Sequence, residues 1–273
     1  MLYHWHKPIL AKPLKNAIEI ICISDTHNAQ PPIPTGDILI HAGDLTQSGT
    51  FAELQNALNW LRTLPHPTKI VIAGNHDLLL DSYHDDPAGQ AASQRSSLEW
   101  GDIIYLENNQ VSISCPSKNG NDRRLRIYGS PYSARHGNWA FQYVREEDVW
   151  TDSVPDGIDV LVTHGPPFGH LDLLQWGCRD LLRTLWRVRP KLHVFGHVHE
   201  GAGMELLSFD GLQRAYEQSV AEGGGLRNFW RIGWELGKSF LRSRVETRSI
   251  LVNASVVGGL RDDERRRAVR VWI

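Results

Sequence analysis

The sequence predicts an α/β fold, and three observations carry that prediction. Short apolar runs rich in β-branched residues alternate with stretches of helical periodicity, the pattern of strands separated by crossovers. No internal repeat or low-complexity linker interrupts the alternation. The chain's 273 residues, 41% of them hydrophobic, suffice for one sizeable core. The expected organisation is therefore a single domain over residues 1–273, with a helical insertion at about 201–248.

Each element has its own warrant. "AIEIICIS", "DILIHAG" and "TKIVIAG" are apolar runs of strand length. Between the second and third, "TFAELQNALNWLRTL" carries apolar residues at helical spacing, and Thr50 with Glu53 forms a capping box at its start. The opening is thus β-β-α-β. "RLRIYGS", "IDVLVTH", "KLHVFGH", "SILVNAS" and "AVRVWI" supply further strands, and "RDLLRTLWRV" is the helix before "KLHVFGH". The insertion departs from this rhythm with two helical stretches, "FDGLQRAYEQSVA" and "LRNFWRIGWELGKSFLRS", separated by "EGGG". In the second, Phe229, Ile232, Leu236 and Phe240 follow spacings of three and four, with Trp230 and Trp234 beside them and Arg227, Arg231, Lys238, Arg242 and Arg244 interspersed. The first expectation is a helix packed on the host domain; a lid over the site after His199, and a partner or membrane-surface element, are the alternatives.

Composition excludes several functions. A formal net charge of −2 gives no field of one sign to attract a nucleic-acid polymer. The three cysteines, Cys22, Cys115 and Cys178, are odd in number and widely spaced, which fits a reducing compartment rather than a disulfide framework or thiolate zinc site. The N-terminus has no continuous apolar run of the signal-peptide kind, and no segment approaches the roughly 20 apolar residues of a membrane span. The expected setting is cytoplasmic.

Nearly every apolar run ends in a potential metal ligand. "IICIS" leads to Asp25 and His27, "ILIHAG" to Asp44, "IVIAG" to Asn75, His76 and Asp77, "VLVTH" to His164, and "HVFG" to His197 and His199. In open α/β sheets ligands bind beyond the carboxyl ends of the strands, so these residues can converge at one edge. Oxygen and imidazole donors without thiolate suit manganese, iron or zinc, and a pair of metals is the natural reading.

These motifs are, in order, D-x-H at 25–27, G-D at 43–44, G-N-H-D at 74–77, His164, and G-H-x-H at 196–199. The set resembles that of calcineurin-like metallophosphoesterases over most of residues 18–272. "HAGDLT", "YGSPY" followed by "GNWAFQ", "IDVLVTHGPP" and "VNAS" are similar to the branch of small metallophosphoesterase-domain proteins that includes brain-expressed cyclic-nucleotide phosphodiesterases.

The resemblance implies a four-layer α/β/β/α sandwich and two metal ions, manganese first, with iron or zinc as alternatives. Asp25, His27 and His199 would hold the first, Asn75, His164 and His197 the second, and Asp44 would bridge both. His76 would stabilise the transition state or protonate the leaving group, and Asp77 would orient it. Asn75, His76, Arg135 and His136 are candidate substrate contacts. His41 reads as a core histidine or one supporting the ligands, and His4, His6, His66, His84, His170 and His193 carry no assigned role. The expected activity is hydrolysis of a small phosphodiester such as a cyclic nucleotide. The alternatives are a phosphomonoester of a small or specialised metabolite, and a non-catalytic metal-binding scaffold.

Overall fold

Alternation along the strands divides their side chains between two cores, and that division builds the layers. The computed structural model describes residues 17–83, 89–115, 122–174, 176–239, 247–259 and 263–273. Expectations placed on the N-terminal stretch with His4 and His6, on His84, and on Phe240, Arg242 and Arg244 lie outside the described residues.

In chain order the first half contains β1 (Glu19–Ile23), β2 (Ile38–Ala42), α1 (Phe51–Thr63), β3 (Thr68–Ile72), α2 (Ala91–Ser97), β4 (Ile103–Tyr105), β5 (Asn109–Cys115) and β6 (Arg123–Ser130). Then come β7 (Ser133–Ala134), β8 (Gln142–Tyr143), β9 (Val160–Thr163), α3 (Arg179–Val188), β10 (Leu192–Phe195) and β11 (Gly203–Ser208). The chain continues through α4 (Gly211–Ala221), α5 (Leu226–Ser239), β12 (Arg248–Asn253), β13 (Val257–Gly258), β14 (Glu264–Arg265) and β15 (Val269–Trp272). One sheet has the order β15-β1-β2-β3-β4, the other β11-β12-β10-β9-β6-β5. The central pairings of both are parallel.

In β1 and β2, Ile20, Cys22, Ile38 and Ile40 face a core shared with Leu125, Ile127, Val160, Val162, Leu192 and Val194 of the other sheet. The intervening Ile21, Ile23 and Leu39 face Leu54, Leu58 and Leu61 of α1. On the far side, Leu161, Phe195 and Leu251 meet Leu181 and Leu185 of α3. Helix, sheet, sheet, helix is the four-layer order expected. The capping box of α1 is present in both directions: Thr50 Oγ1 accepts from Glu53 N at 3.3 Å, and Thr50 N donates to Glu53 Oε2 at 3.0 Å.

The region expected to be purely helical begins with β11, which pairs antiparallel with β12 from Gly203↔Asn253 to Ser208↔Arg248. Covering the open edge of β12 satisfies a row of backbone groups that would otherwise invite another strand. His170, which the sequence left without a role, fastens this region. Its Nδ1 meets Glu205 of β11 and its Nε2 lies 3.1 Å from Glu217 of α4, while Trp186 Nε1 of α3 donates to the other oxygen of Glu217 at 2.7 Å. Burial alone would lower the imidazole's pKa, but the two carboxylates outweigh it and push it up to about 9. No described helix is long and apolar enough to cross a membrane.

Candidate metal centre

The carboxyl ends of β1, β2, β3, β9 and β10 bring the predicted ligands to one edge, through tight and strained connections. Asp25, His27, Asp44 and His197 all have left-handed backbones, with φ of 53°, 42°, 54° and 69°. Such conformations are uncommon and costly for residues with a Cβ, and persist where the surrounding structure over-determines them. Two glycines permit the close approach. A Cβ on Gly196 would collide with the Asp25 carboxylate and Ser24 Oγ, and one on Gly74 with Asp44 and the His164 ring.

The side chains form adjoining clusters. Asp25, His27 and His199 offer ligand atoms within 4.8 Å of one another, as do Asp44, His164 and His197. His27 Nε2 and His199 Nε2 are 3.3 Å apart, and His199 Nε2 is 3.3 Å from Asp25 Oδ1. Asp44 Oδ2 lies between the clusters, 3.7 Å from His27 Nε2 and 3.3 Å from His164 Nε2. Asn75 Oδ1 is 3.0 Å from His164 Nε2. The other nitrogen of His164, Nδ1, donates to the Ala42 carbonyl at 3.0 Å, which fixes the tautomer and leaves Nε2 facing the cluster.

The electrostatics match a cation site. Burial would raise the Asp25 carboxyl, but the hydrogen bond and charge of His199, with the charge of His164, hold it well below the usual range. Asp44 is likewise raised by burial yet lowered overall by His164. Burial pushes the His197 imidazole down to about 3 and lowers His27 as well, so both present neutral nitrogen donors at neutral pH. Ionised carboxylates, the neutral His27 and His197 imidazoles and one amide oxygen, with the three cysteines buried elsewhere and free, fit a hard or borderline metal; His164, which burial lowers but Asp44 raises to about 9, would release its Nε2 proton on binding one.

Surrounding groups hold these ligands. Asp25 accepts from His197 N at 3.0 Å and from Ser255 Oγ at 2.7 Å, and Asn253 Oδ1 in turn accepts from Ser255 N. Sequence reading noted "VNAS" without giving either residue a task. His41 is buried, with Nε2 2.9 Å from Thr26 Oγ1 in the loop between Asp25 and His27. One expected role is corrected. Asp77 does not hold His76: its carboxylate accepts from Gly74 N, Leu45 N, Thr46 N and Thr46 Oγ1, tying the ends of β2 and β3 together. Three of those donors lie close because β2 and β3 are parallel neighbours, so the loops after them start side by side. His76 Nδ1 instead donates to the Gln47 carbonyl at 2.8 Å, and its ring packs on Trp139 with centroids 4.2 Å apart. His76 also reaches the cluster, offering a nitrogen within 4.8 Å of ligand atoms of His27 and Asp44.

A cleft of about 750 Å³ opens beside His197 and His199, lined among others by His136, Arg145, Leu173, Trp176 and Glu264. His136 was anticipated, and its ring centroid is 4.9 Å from that of His197. Arg135 is exposed and outside that lining; Arg145 is the arginine that enters it. Its guanidinium is held by the carbonyls of Gly177 and Trp176, at 3.3 and 3.4 Å. No local motif marks Arg145 or Trp176, since both arrive from loops.

A double-sheet sandwich with two adjoining imidazole–carboxylate clusters at its strand ends is the architecture of a metallohydrolase. The chain belongs to the calcineurin-like phosphoesterases, a family of metal-dependent phosphoester hydrolases whose description matches residues 18–201. It is 44% identical over 270 residues to a probable rhamnogalacturonate lyase C of Emericella nidulans, covering 96% of this chain and 25% of that protein. It is 39% identical over 209 residues to metallophosphoesterase domain-containing protein 1 of Homo sapiens, covering 67% of this chain and 61% of that protein. A UPF0046 protein of Caenorhabditis elegans is 37% identical over 202 residues, with 68% and 65% covered. The chain thus spans a quarter of the first relative and under two thirds of the other two.

Proposed function

We propose that this chain is a phosphodiesterase that hydrolyses a small phosphodiester, a cyclic nucleotide being the first class to test. The observation that carries hydrolysis is the pair of clusters joined by Asp44, within a chain of phosphoesterase family. In this reading Asp25, His27 and His199 hold one ion, Asn75, His164 and His197 the other, and Asp44 both. Two bound cations, manganese or else iron or zinc, would lower the pKa of a water towards about 7 and neutralise charge on the phosphoryl oxygens.

The chain's own residues do the rest. The Gln47 carbonyl can only accept, so His76 keeps a proton on Nδ1; as the imidazolium, protonated on Nε2 as well, it would pass that second proton to the leaving oxygen and return to the neutral ring. Trp139 packs against that ring. Asp77 supports the site by holding the loops that carry Asp44 and Asn75 in register. His136 and Arg145 sit where they can meet phosphate or substrate oxygens, and Trp176 and Leu173 give an organic substituent an apolar wall.

The diester preference rests on the resemblance of "HAGDLT", "YGSPY" and "VNAS" to the cyclic-nucleotide branch, and the cleft supplies room for more than a bare phosphate. A single catalytic domain with an insertion, working in the reducing cytoplasm, completes the reading; three free, buried cysteines support that setting. The test is hydrolysis of bis-p-nitrophenyl phosphate against p-nitrophenyl phosphate by manganese-loaded protein. Faster turnover of the diester is expected. Preference for the monoester would make the protein a phosphatase, and hydrolysis of neither would favour a non-catalytic scaffold.

A further inference from the structure

The second helix of the insertion turns its aromatic side away from the protein. In α5, Leu226 is 81% exposed, Phe229 69%, Trp230 74%, Trp234 68% and Leu236 42%. At 100° per residue these five, with Gly233 and Gly237 between them, occupy one continuous arc of roughly 160°. Nothing covers it among the described residues: a Cβ added at Gly233 or Gly237 would meet no atom within 4 Å. The opposite side makes the attachment. Asn228, 2% exposed, donates to Glu222 Oε2 at 2.9 Å and to the Gly224 carbonyl at 2.8 Å, and Glu235 lies against Gly211 at the start of α4.

Cations border the apolar arc on one flank. Arg227, Arg231 and Lys238 fall within the next roughly 60° of the helix, Arg227 exposed and the other two half-buried. The helix has a single acidic residue, Glu235, and Lys238 Nζ pairs with it at 2.7 Å while standing over the Trp234 ring. Indole rings favour the boundary between headgroups and acyl chains, because an apolar body and a polar N–H suit that layer. Basic residues beside such a face are attracted by anionic headgroups, which complement their charge. Exposing this much aromatic surface to water is unfavourable unless something covers it part of the time.

We infer that α5 is an interfacial helix that docks the protein on an anionic lipid bilayer, lying in the membrane plane with Phe229, Trp230 and Trp234 inserted at headgroup depth. Binding is reversible, because one short helix buries far less apolar area than a spanning segment. The exposed Arg227 adds electrostatic attraction on the order of 1 kcal/mol near the surface, so salt weakens attachment.

The test is co-sedimentation of the whole chain with vesicles of phosphatidylcholine alone or containing about one third phosphatidylserine. Partition onto the anionic vesicles is expected, falling as salt is raised from ~0.1 to ~0.5 M. Trp230→Ser with Trp234→Ser is expected to lower the partition coefficient about tenfold or more. Arg227→Glu, which leaves the apolar face intact, is expected to lower it by a factor of about five or more. Circular dichroism and turnover of a soluble aryl phosphoester are expected to stay at wild-type values in both variants. Absence of wild-type binding to anionic vesicles, or undiminished binding by the double tryptophan variant, would overturn the inference. Concentration-dependent self-association abolished by the double variant, without vesicle binding, would assign the face to a second copy instead.

Discussion

His27 Nε2 and His199 Nε2 face each other across 3.3 Å, although 172 residues separate them in the chain. With Asp25 Oδ1 3.3 Å from His199 Nε2, the two imidazoles converge on a point that a cation can occupy. His199→Ala removes one donor from this cluster and leaves the Asp44–His164–His197 cluster untouched. Metal titration should show affinity at one site falling by more than about 100-fold while the other is retained. Equal loss at both sites would mean that the two clusters are not separate.

His76 should be separable from metal binding. Its Nδ1 is committed to Gln47, and its part in the account is proton transfer. His76→Ala should lower turnover by roughly 10²- to 10⁴-fold with little change in metal content. An aryl leaving group needs less protonation than an alkyl one, so the loss should be smaller for p-nitrophenyl esters. Loss of both ions in this variant would instead make His76 a ligand.

Gly196→Ala places a methyl group against the Asp25 carboxylate and Ser24 Oγ, side-chain ends that are fully buried and held by hydrogen bonds. Overpacking of this kind destabilises by about 1–3 kcal/mol. Thermal unfolding should show that loss, with reduced metal occupancy, because the carboxylate must move. An unchanged melting temperature together with full metal content would show that β10 relaxes without disturbing Asp25.

Stability should fall in alkaline solution through His170. Its folded pKa is raised from 6.5 to about 9 by Glu205 and Glu217, so the native state binds its proton more tightly than the unfolded chain does. The stabilisation is complete below about pH 6.5 and is lost as pH rises through about 9, a span worth on the order of 3 kcal/mol. His170→Gln should be less stable at pH 6 and should lose the wild-type slope between pH 6.5 and 9. A variant with the same slope would place the effect elsewhere.

The strands and the candidate ligands were legible in the sequence for one reason. In each of β1, β2, β3, β9 and β10 a mostly apolar run stops at the sheet edge, and a candidate ligand follows within three residues. Two of the edge strands were harder to see. β5 alternates buried and exposed residues over a short span, and β11 lies within a stretch that reads as the approach to a helix. The cleft was not legible, because Arg145 and Trp176 are set beside His197 by tertiary folding rather than by spacing.

Asp77 and α5 show two further limits of local pattern. The resemblance implied that Asp77 orients His76, but its oxygens are taken by backbone and hydroxyl donors that only the folded loops bring near. The helical period of Phe229, Ile232 and Leu236 identified a face without fixing its direction. Phe229 and Leu236 point outward, while Asn228 and Glu235 make the contacts with the rest of the insertion.

The central claim is a two-ion centre bridged by Asp44, and the most direct measurement is metal content per chain after manganese loading and removal of free ion. The account predicts about two tightly held ions in the wild type and loss from both sites in Asp44→Ala, with turnover lost alongside. Two tightly held ions in Asp44→Ala would contradict the bridge. Full activity in wild-type protein holding a single ion would contradict the two-ion centre itself.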